Sequence, residues 1–506
     1  MMADRLDAER IIEYFKGKSI LITGATGFLG KILVEKILRV QPDVKKIYLL
    51  VRAIDEASAK QRVQSEVTET ELFSVVKEKH GKGFEEFIEE KVVALAGDII
   101  YDDLGLEPPV LHDLAGNLDV IVNGAATTNF YGRYDVSLDV NVLGVKHLCQ
   151  LAKKCRNLKV FLHVSTAYAG GDQEGLIQER AFEEGWALRE GMYLDVEAEL
   201  RLVADVRRRV DDDDKAQRKA MKELGLARAR HFGWSNTYVF TKAMGEMVLS
   251  RMLLGGEGGG GGAGVVVVRP SIITSVLRDP VPGWMQGTRT IDTLIIGYAK
   301  QNLPCFLGDL DLVMDVIPGD MVVNAMMAAT VAHSGERWQG QEGRPAVYHV
   351  SSSLRNPAAY WVLYEAGRRH FTEKPRTGKR GEVIPTKEMH FFKTIASFQL
   401  YMLLKYRLPL ELLHLLNLLL CGLFSRLYSD LATKYRYVMH LVDVYGPFAF
   451  FKGCFDDINL ERLRQRMGRS NSTEDDDMFN FDPKTIDWED YFYRIHIPGV
   501  LKYILK

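Results

Sequence analysis

The chain has 506 residues, of which 47% are hydrophobic and 26% are charged, a balance typical of globular proteins with a large buried core. Its formal net charge of -2 argues against a nucleic-acid-binding protein, which would normally be basic. Five cysteines, at 149, 155, 305, 421 and 454, are scattered without CxxC spacing. We therefore expect reduced, buried thiols, and neither a metal site nor a disulfide framework.

The start of the chain, MMADRLDAERIIEYFKGK, is charged and amphipathic. It lacks the continuous apolar core of a signal peptide and carries too many acidic residues for a transit peptide. We expect the protein to fold in the cytosol.

The next segment alternates between strand and helix patterns. SILIT is followed by a glycine-rich turn, by KILVEKILRV with helical spacing, and by KKIYLLVR, which is typical of a strand buried on both faces. Further apolar runs lie near residues 98, 123, 165 and 269. This alternation predicts an α/β fold with a doubly wound parallel sheet.

The alternation stops after about residue 353, and the remainder is rich in Leu, Phe and Tyr. We predict a first domain at residues 11–355 and a smaller, mainly helical C-terminal domain at residues 360–506. Residues 178–230, with the acidic run 211–214, are charged and mostly helix-forming, which predicts a helical excursion over the substrate side. The glycine-rich run 255–264 predicts a solvated connector with no packing role.

The turn after the first strand reads ILITGATGFLG, residues 20–30. Gly24 permits the unusual backbone angles of a tight turn. Gly27 would let a pyrophosphate approach the backbone, and Gly30 would let the helix pack closely on the strand. A glycine-rich turn without a ligand is the alternative, but the strand–turn–helix–strand context favours a dinucleotide site at the helix N-terminus.

The end of the second strand bears on which dinucleotide binds. An NAD-binding protein would carry an acidic residue there for the ribose 2′-OH. This strand ends at Arg52 instead, which could pair with a 2′-phosphate, and Arg62 could assist. A surface arginine is the alternative reading. Asp98, after the third strand, could accept a hydrogen bond from the adenine amino group. A plain turn residue is the alternative.

Candidate reacting groups lie further along. Tyr238 and Lys242 are four residues apart in NTYVFTKAMGE, so on a helix they share one face. A nearby ammonium would lower the pKa of the phenol toward the working range, and the lysine could also hold the nicotinamide ribose. Ser165 and Thr166 in HVSTAY end an apolar run, where their hydroxyls would face a ligand cleft or simply be satisfied locally.

GATGFLG, STAY and YVFTK together resemble the extended short-chain dehydrogenase/reductases. The fuller set TGATGFLGKILVEKILR, KIYLLVR, AATTNF, NVLGV, HVSTAY, NTYVFTKAMGE and VVRPSII resembles the alcohol-forming fatty acyl-CoA reductases, above all those of plants. The likeness extends from about residue 11 to 500. It implies a Rossmann domain of the extended short-chain dehydrogenase type.

The resemblance also implies an activity: NADPH-dependent reduction of a long-chain or very-long-chain acyl-CoA to a primary alcohol through a retained aldehyde, for wax or other lipid-barrier synthesis. Tyr238 would protonate the developing oxyanion, helped by Thr166 or Ser165. No metal is implied. The candidate cofactor-binding residues are Thr23, Gly24, Thr26, Gly27, Phe28, Leu29, Gly30, Arg52, Asp98, Ala125, Tyr238, Lys242 and Pro270.

Three alternative functions remain at this point. A reductase that releases the aldehyde would share every one of these residues. An extended-type nucleotide-sugar epimerase or dehydratase would share the cofactor fold and YxxxK, but would not need a 140-residue Leu-rich domain. A non-catalytic binding protein would not need Tyr238, Lys242 and the glycines together.

The most apolar segment is LPLELLHLLNLLLCGLF, residues 408–424. Glu411, His414 and Asn417 interrupt it every three residues and form one polar stripe, which suits an interfacial helix better than a spanning one. Basic residues at 405, 407 and 426 could meet anionic lipid, although an ordinary bundle helix is equally compatible. The family resemblance implies peripheral association with the cytosolic face of the endoplasmic reticulum, with a cytoplasmic location as the alternative.

Overall fold

The computed structural model describes residues 6–209, 214–254, 263–334, 344–377, 381–446, 448–467 and 478–505. It divides into two compact units, each made of three segments. Unit 1 contains Met1–Trp284, Val316–Leu354 and Gly453–Pro483, and unit 2 contains Met285–Asp315, Arg355–Lys452 and Lys484–Lys506. A boundary falls at the predicted position near residue 355. The predicted consecutive domains, 11–355 and 360–506, are nevertheless wrong in detail, because residues 285–315 group with unit 2 and residues 453–483 with unit 1.

Unit 1 is built on a seven-stranded sheet in the order β7-β6-β5-β4-β1-β2-β3, in which every neighbouring pair is parallel. The strand order reverses between β1 and β4, which makes this the switch point of a doubly wound sheet. The predicted fold class is confirmed, although the edge strand β7 was not among the predicted runs. The strands are β1 Ser19–Thr23, β2 Lys46–Val51, β3 Val92–Ala96, β4 Val120–Asn123, β5 Val160–Val164, β6 Gly264–Pro270 and β7 Ala346–Val350.

Helices cover the sheet and make up most of unit 2. In chain order they are α1 Ala8–Phe15, α2 Phe28–Val40, α3 Glu56–Val63, α4 Ser74–His80, α5 Phe84–Lys91, α6 Pro108–Asn117, α7 Tyr134–Leu138, α8 Gly144–Lys154, α9 Val196–Arg209, α10 Asp214–Phe232, α11 Thr237–Leu254, α12 Thr290–Ala299, α13 Gly319–Ala332, α14 Tyr360–Glu373, α15 Ile395–Met402, α16 Leu408–Leu419, α17 Ser425–Tyr445 and α18 Ile458–Met467, followed by Trp488–Asp490 and Ile497–Tyr503. Helix α12, the helices α14 to α17 and the last two belong to unit 2.

Short strands pair outside the main sheet. Gly175–Ile177 pairs with Gly453–Phe455, Ile272–Thr274 with Val316–Pro318, Cys305–Leu307 with His390–Phe392, Val313–Met314 with Ala358–Ala359, and Arg376–Thr377 with Val383–Ile384. The first pairing explains why residues 453–483 belong to unit 1.

The sheet is apolar on both faces because helices pack against both. On one face, Leu21, Ile121 and Phe161 of neighbouring strands join a buried cluster with Leu114 of α6 and Leu148 of α8. On the other face, α13 packs against β5, β6 and α2. All five residues of β1 are therefore buried, as expected for a central parallel strand.

Two sequence predictions need correction here. Residues 178–195 contain no helix; the helical part of the charged insertion begins only at Val196. Residues 211–213 and 255–262 lie outside the described residues. Gly264, at the end of the predicted connector, is buried as the first residue of β6, and a Cβ there would lie 2.3 Å from the His333 carbonyl oxygen. This end of the run therefore does have a packing role.

In unit 2 the polar stripe of α16 is buried only at its C-terminal end, since Glu411 is exposed, His414 is half-buried and Asn417 is buried. Asn417 is buried, and its Oδ1 accepts from the Phe424 N–H at 2.8 Å. The His414 ring packs on Tyr428, 4.8 Å between ring centroids. Many of the leucines face outward. We call six of them, Leu404, Leu408, Leu412, Leu415, Leu419 and Leu423, the leucine surface; their exposed fractions run from 51% at Leu408 to 77% at Leu419.

None of the described helices combines the length and hydropathy needed to cross a membrane. The cysteines differ in environment. Cys149, Cys155 and Cys305 are buried as predicted, whereas Cys421 is exposed and Cys454 half-buried, so the prediction of buried thiols is wrong for these two.

Candidate active site

The glycine-rich turn connects β1 to α2 through close backbone contacts. Gly24 has φ +73°, and a Cβ there would lie 2.7 Å from the Gly124 backbone. A Cβ at Gly30 would lie 2.4 Å from the Gly24 carbonyl oxygen. No side chain caps the N-terminus of α2 at Gly27. The first N–H groups of α2 are therefore uncovered, which is the arrangement that binds a pyrophosphate.

The other predicted cofactor residues follow the carboxyl ends of the strands, where ligands bind in such sheets. Thr23 ends β1 and Pro270 ends β6, while Arg52, Asp98 and Ala125 follow β2, β3 and β4. Thr26 lies in the turn, and Leu29 lies in the first turn of α2. Phe28 is different, because its ring is buried and stacks on Trp284 at 5.4 Å between ring centroids. Its ring therefore packs inside the protein next to the turn.

A chain of buried polar groups crosses the switch point of the sheet. The Thr23 hydroxyl donates to Asn123 Oδ1 at 2.8 Å and accepts from the Ala125 N–H at 3.2 Å. The Asn123 amide lies 3.1 Å from His163 Nδ1, and His163 Nε2 lies 3.4 Å from Lys242 Nζ. Burial lowers the pKa of His163 well below its usual value. A neutral imidazole has one acceptor, and both the Asn123 amide nitrogen and the Lys242 ammonium are donors, so the ring can accept a hydrogen bond from only one of them at a time.

Lys242 is held at the end of β5. Its Nζ donates to the Val164 carbonyl at 2.7 Å, and its side chain is buried. Burial lowers the pKa of Lys242 to about 8, partly offset by the nearby Glu246 carboxylate. The ammonium is thus fixed in place by a backbone carbonyl at the cleft.

Tyr238 begins the same helical face, one turn before Lys242. Its ring is half-buried and stacks on Phe130, 6.0 Å between ring centroids. Burial raises the pKa of Tyr238 to about 12, and hydrogen bonding to the Thr166 side chain opposes this only in part. The predicted lowering of the phenol pKa by Lys242 is therefore wrong for this state of the protein. The phenol is fully protonated at neutral pH, so it can donate a proton.

The two predicted hydroxyls follow β5. Thr166 Oγ1 accepts from the Tyr168 N–H at 3.4 Å and lies 3.5 Å from the Pro270 carbonyl oxygen. Ser165 Oγ is buried and has no hydrogen-bond partner among the described residues. A buried hydroxyl without a partner is costly, and a hydrogen bond to a bound molecule would relieve that cost.

Sequence reasoning assigned no role to Asn141, which fixes α11 at the site. It lies on a π-helical turn, Asp139–Leu143, between α7 and α8, and such turns are frequent at functional sites. Its amide donates to the Thr127 carbonyl at 3.1 Å and to Thr241 Oγ1 at 3.0 Å, and accepts from the Thr127 N–H. Thr241 precedes Lys242, so this contact orients the reactive face.

A buried ion pair supports the same helix and was also missed. The Arg269 guanidinium donates to both carboxylate oxygens of Glu246, at 2.6 to 3.2 Å, and lies over the Phe182 ring at 4.0 Å. Both side chains are almost fully buried. Glu246 follows Lys242 by four residues, so the spacing Tyr–Lys–Glu along one helical face was the available signal.

Basic groups gather where β2 ends. Arg52 is exposed there, and Arg62 donates to the Arg52 carbonyl at 2.6 Å and to both Glu66 oxygens. Lys31 in the first turn of α2 is buried, which lowers its pKa to about 8. Arg62, and to a smaller extent Lys31 and Arg52, lower the pKa of Glu66. These three basic side chains therefore outnumber the Glu66 carboxylate with which they interact. Among the described residues, no group of three His, Cys, Asp or Glu side chains could hold a metal ion.

Comparison with known proteins identifies the family. Residues 22–326 match an NAD-binding family model described as "Male sterility protein", and residues 405–506 match a second model with the same description. The chain is 44% identical over 498 residues to Fatty acyl-CoA reductase 1 of Arabidopsis thaliana, covering 98% of this chain and 99% of that protein. The chain belongs to the fatty acyl-CoA reductase family. It is also 43% identical over 500 residues to the alcohol-forming fatty acyl-CoA reductase of Simmondsia chinensis, with the same coverage.

Solved structures of low sequence identity share the fold of this reductase. The reductase domain of a non-ribosomal peptide synthetase from Mycobacterium tuberculosis has a TM-score of 0.58 at 19% identity, covering 99% of this chain and 96% of that one. The terminal reductase domain of the myxalamid pathway has a TM-score of 0.56 at 17% identity, with the same coverage. The predicted family resemblance is confirmed, and the family model supports a nicotinamide dinucleotide as cofactor.

The burial of Lys242 predicts a dependence of stability on pH. Its pKa of about 8 in the folded protein lies below about 10.4 in the unfolded chain, so the unfolded state binds more protons between these values. Stability relative to Lys242→Met should therefore rise with pH across this window, by about 3 kcal/mol in total. Denaturant unfolding at pH 7 and at pH 10.5 measures it. Lys153→Met, at an exposed position of α8, is the control, and its difference in unfolding free energy from the wild type should not change with pH. If the difference for Lys242→Met also stayed constant between pH 7 and pH 10.5, the prediction would be contradicted.

Proposed function

We propose that this protein reduces the thioester of a long-chain or very-long-chain acyl-CoA to a primary alcohol, with NADPH as the reductant, for wax or other lipid-barrier synthesis. The observation that carries the proposal is full-length similarity to an alcohol-forming fatty acyl-CoA reductase, in a chain whose Tyr238, Thr166 and Lys242 lie together at the carboxyl end of β5. Product analysis with the purified protein, NADPH and a range of acyl-CoAs is the direct test. Finding aldehyde as the only product would support an aldehyde-releasing reductase instead.

The residues at the switch point fit a nicotinamide dinucleotide. The glycines leave the N-terminus of α2 open to the pyrophosphate, and the Lys242 ammonium lies where it can hold a ribose hydroxyl. When bound, the dinucleotide supplies hydride to the carbonyl carbon. Two molecules of NADPH and two protons balance the conversion of an acyl thioester to an alcohol and free CoA thiol.

The side chains of the protein act on the substrate oxygen. As the carbonyl carbon is reduced, negative charge develops on its oxygen, and the protonated phenol of Tyr238 donates a hydrogen bond and then a proton to it. The free hydroxyl of Ser165 and that of Thr166 are placed to share this charge. Collapse of the resulting hemithioacetal expels the CoA thiolate and leaves an aldehyde. The same groups then protonate the alkoxide formed in the second reduction.

Removal of the Tyr238 hydroxyl tests the proton-donor role. Tyr238→Phe should lower kcat by about 10²- to 10⁴-fold while nucleotide binding remains near normal. Alcohol and aldehyde are quantified together, and NADPH binding is followed by fluorescence. Tyr134→Phe is the matched control, because that hydroxyl donates to buried Glu199 at 2.8 Å and has no part in the reaction. Undiminished alcohol formation by Tyr238→Phe would disprove the assignment.

The preference for NADPH over NADH is inferred from charge. Arg52 follows β2, and Arg62 donates to the Arg52 carbonyl and to the Glu66 carboxylate, on which Lys31 and Arg52 also act electrostatically. A 2′-phosphate would find cationic partners there, whereas a ribose 2′-OH would lack the acidic acceptor that NAD-binding proteins use.

Arg52→Ala tests this preference. The loss of a charge-assisted contact should raise the KM for NADPH by about 10- to 100-fold and leave the KM for NADH within about two-fold. Steady-state kinetics with each nucleotide measure the effect. Arg156→Ala, at an exposed residue before β5, serves as the control. Equal changes for NADPH and NADH would remove the basis for the preference.

We further propose peripheral association with the cytosolic face of the endoplasmic reticulum membrane. The leucine surface supports this, since its leucines follow one another by three or four residues. Leu404 lies in a π-helical turn, Leu408 to Leu419 lie on α16, and Leu423 lies in the turn after it. Lys405, Arg407 and Arg426 are exposed beside it. Apolar side chains flanked by basic ones favour insertion at the interface of an anionic bilayer.

Polar substitution of the leucine surface tests the association. The triple variant Leu415→Ser, Leu419→Ser, Leu423→Ser should weaken co-sedimentation with phosphatidylcholine–phosphatidylserine vesicles by about ten-fold or more, because each buried leucine contributes about 1.5–3 kcal/mol. Leu176→Ser, at a 56% exposed leucine of unit 1, should leave it unchanged. Equal vesicle binding by the triple variant and the wild type would contradict the proposal.

A further inference from the structure

His163 is a buried titratable side chain that has no part in the proposed reaction. It lies inside β5, between Asn123 of β4 and Lys242 of α11, and none of its surface is exposed. Burial, together with the charges of Lys242 and Arg269, holds the pKa of His163 well below its usual value. The ring is therefore neutral, with one nitrogen that donates and one that accepts. The position of its single proton decides which of the two faces Lys242.

The contacts of Asn123 fix the position of that proton. The Thr23 hydroxyl accepts from the Ala125 N–H at 3.2 Å and donates to Asn123 Oδ1 at 2.8 Å. This orientation of the amide gives the hydroxyl proton an acceptor, and it turns the amide nitrogen toward His163 Nδ1, at 3.1 Å. Because an amide nitrogen only donates, Nδ1 must accept. The proton of the ring therefore lies on Nε2.

The Nε2–H group of His163 points at Lys242. Nε2 and Nζ are 3.4 Å apart, and Nζ also donates to the Val164 carbonyl at 2.7 Å. With a neutral lysine, each contact joins a donor to an acceptor, because the lone pair of the amine accepts from Nε2–H. With a charged lysine, the ammonium has no lone pair and two donors face each other. A buried donor without an acceptor is costly, so this row of groups favours the neutral amine.

The other charged and titratable groups near Lys242 leave this preference in place. Glu246, one turn further along α11, favours the ammonium, but its carboxylate is bonded to the buried guanidinium of Arg269 on β6. Tyr238, one turn earlier on α11, is a neutral phenol with a pKa of about 12. Burial already lowers the pKa of Lys242 to about 8, and a donor on His163 acts in the same direction.

We propose that His163 is a positioning residue that stabilises the neutral amine of Lys242 by donating its Nε2–H to it. The consequence for the cofactor rests on the proposed function. A charged lysine donates stronger hydrogen bonds to a ribose hydroxyl than a neutral one, so affinity for NADPH should fall as the lysine loses its proton. His163 then sets the pH above which nucleotide binding weakens.

The position of the ring proton can be measured directly in the full-length protein. In a sample labelled with ¹⁵N-histidine, the NMR signals that are missing from His163→Phe belong to His163. At pH 9.5 we expect the proton on Nε2 and an acceptor shift for Nδ1. In Asn123→Asp the ionised carboxylate can only accept, so the proton should move to Nδ1. A wild-type ring with its proton on Nδ1 would overturn the proposal, whether or not Asn123→Asp folds.

The pKa of Lys242 provides a second measurement. Its rise in His163→Phe should be about one unit, the effect of one hydrogen bond. The stabilisation relative to Lys242→Met should begin to increase near pH 8 in the wild type and about one unit higher when both proteins also carry His163→Phe. His112→Phe, at an exposed position of α6, should leave the starting pH unchanged. The same starting pH with and without His163→Phe would contradict the proposal.

Binding of NADPH, followed by fluorescence without any acyl-CoA, tests the consequence for the cofactor. The dissociation constant of the wild type should increase as the pH rises above about 8, and in His163→Phe this increase should occur about one unit higher. A wild-type dissociation constant that stays the same from pH 7 to pH 9.5 would overturn the role of His163 in nucleotide binding. A protein that shows the predicted shifts but reduces no acyl-CoA would instead overturn the proposed function.

Discussion

The buried ammonium of Lys242 organises the candidate active site. An uncompensated buried charge costs several kcal/mol, so the fold must supply partners for it. The Val164 carbonyl accepts its hydrogen bond at 2.7 Å, and Glu246 lies one helical turn further along α11. Glu246 is in turn neutralised by Arg269 of β6. The charges alternate in sign from the cleft into the core, so the reactive face of α11 is fixed to the carboxyl ends of β5 and β6.

This arrangement changes the role of the lysine. Because its ammonium is bound to a carbonyl and the phenol of Tyr238 is desolvated, the phenol pKa rises to about 12. A phenol of this kind is a poor base and remains a proton donor at neutral pH. An alkoxide is more basic than a phenolate, so proton transfer from Tyr238 to a reduced carbonyl oxygen is still favourable. Lys242 therefore acts as a positive charge at a fixed position. A phenol that donates its proton suits reduction, in which the substrate oxygen gains one.

Local patterns predicted what depends on local spacing. The turn at Gly24, the strands around it, and the shared face of Tyr238 and Lys242 all follow from residues within one element. The predictions that failed concern contacts between segments that are far apart in the sequence. Asn123 and His163 join Thr23 to Lys242 across three strands, and the pairing of Gly453–Phe455 with Gly175–Ile177 returns a late segment to unit 1. Periodicity showed that His414 and Asn417 share a face of α16, but only packing decides which face points inward.

Unit 2 presents apolar groups both outward and inward. Phe398 and Met402 of α15 join Phe306 in the buried core of unit 2, while the next turns of the same helical run display the leucine surface. Exposed apolar side chains are a liability in water, and this cost is what the proposed association with a membrane would relieve.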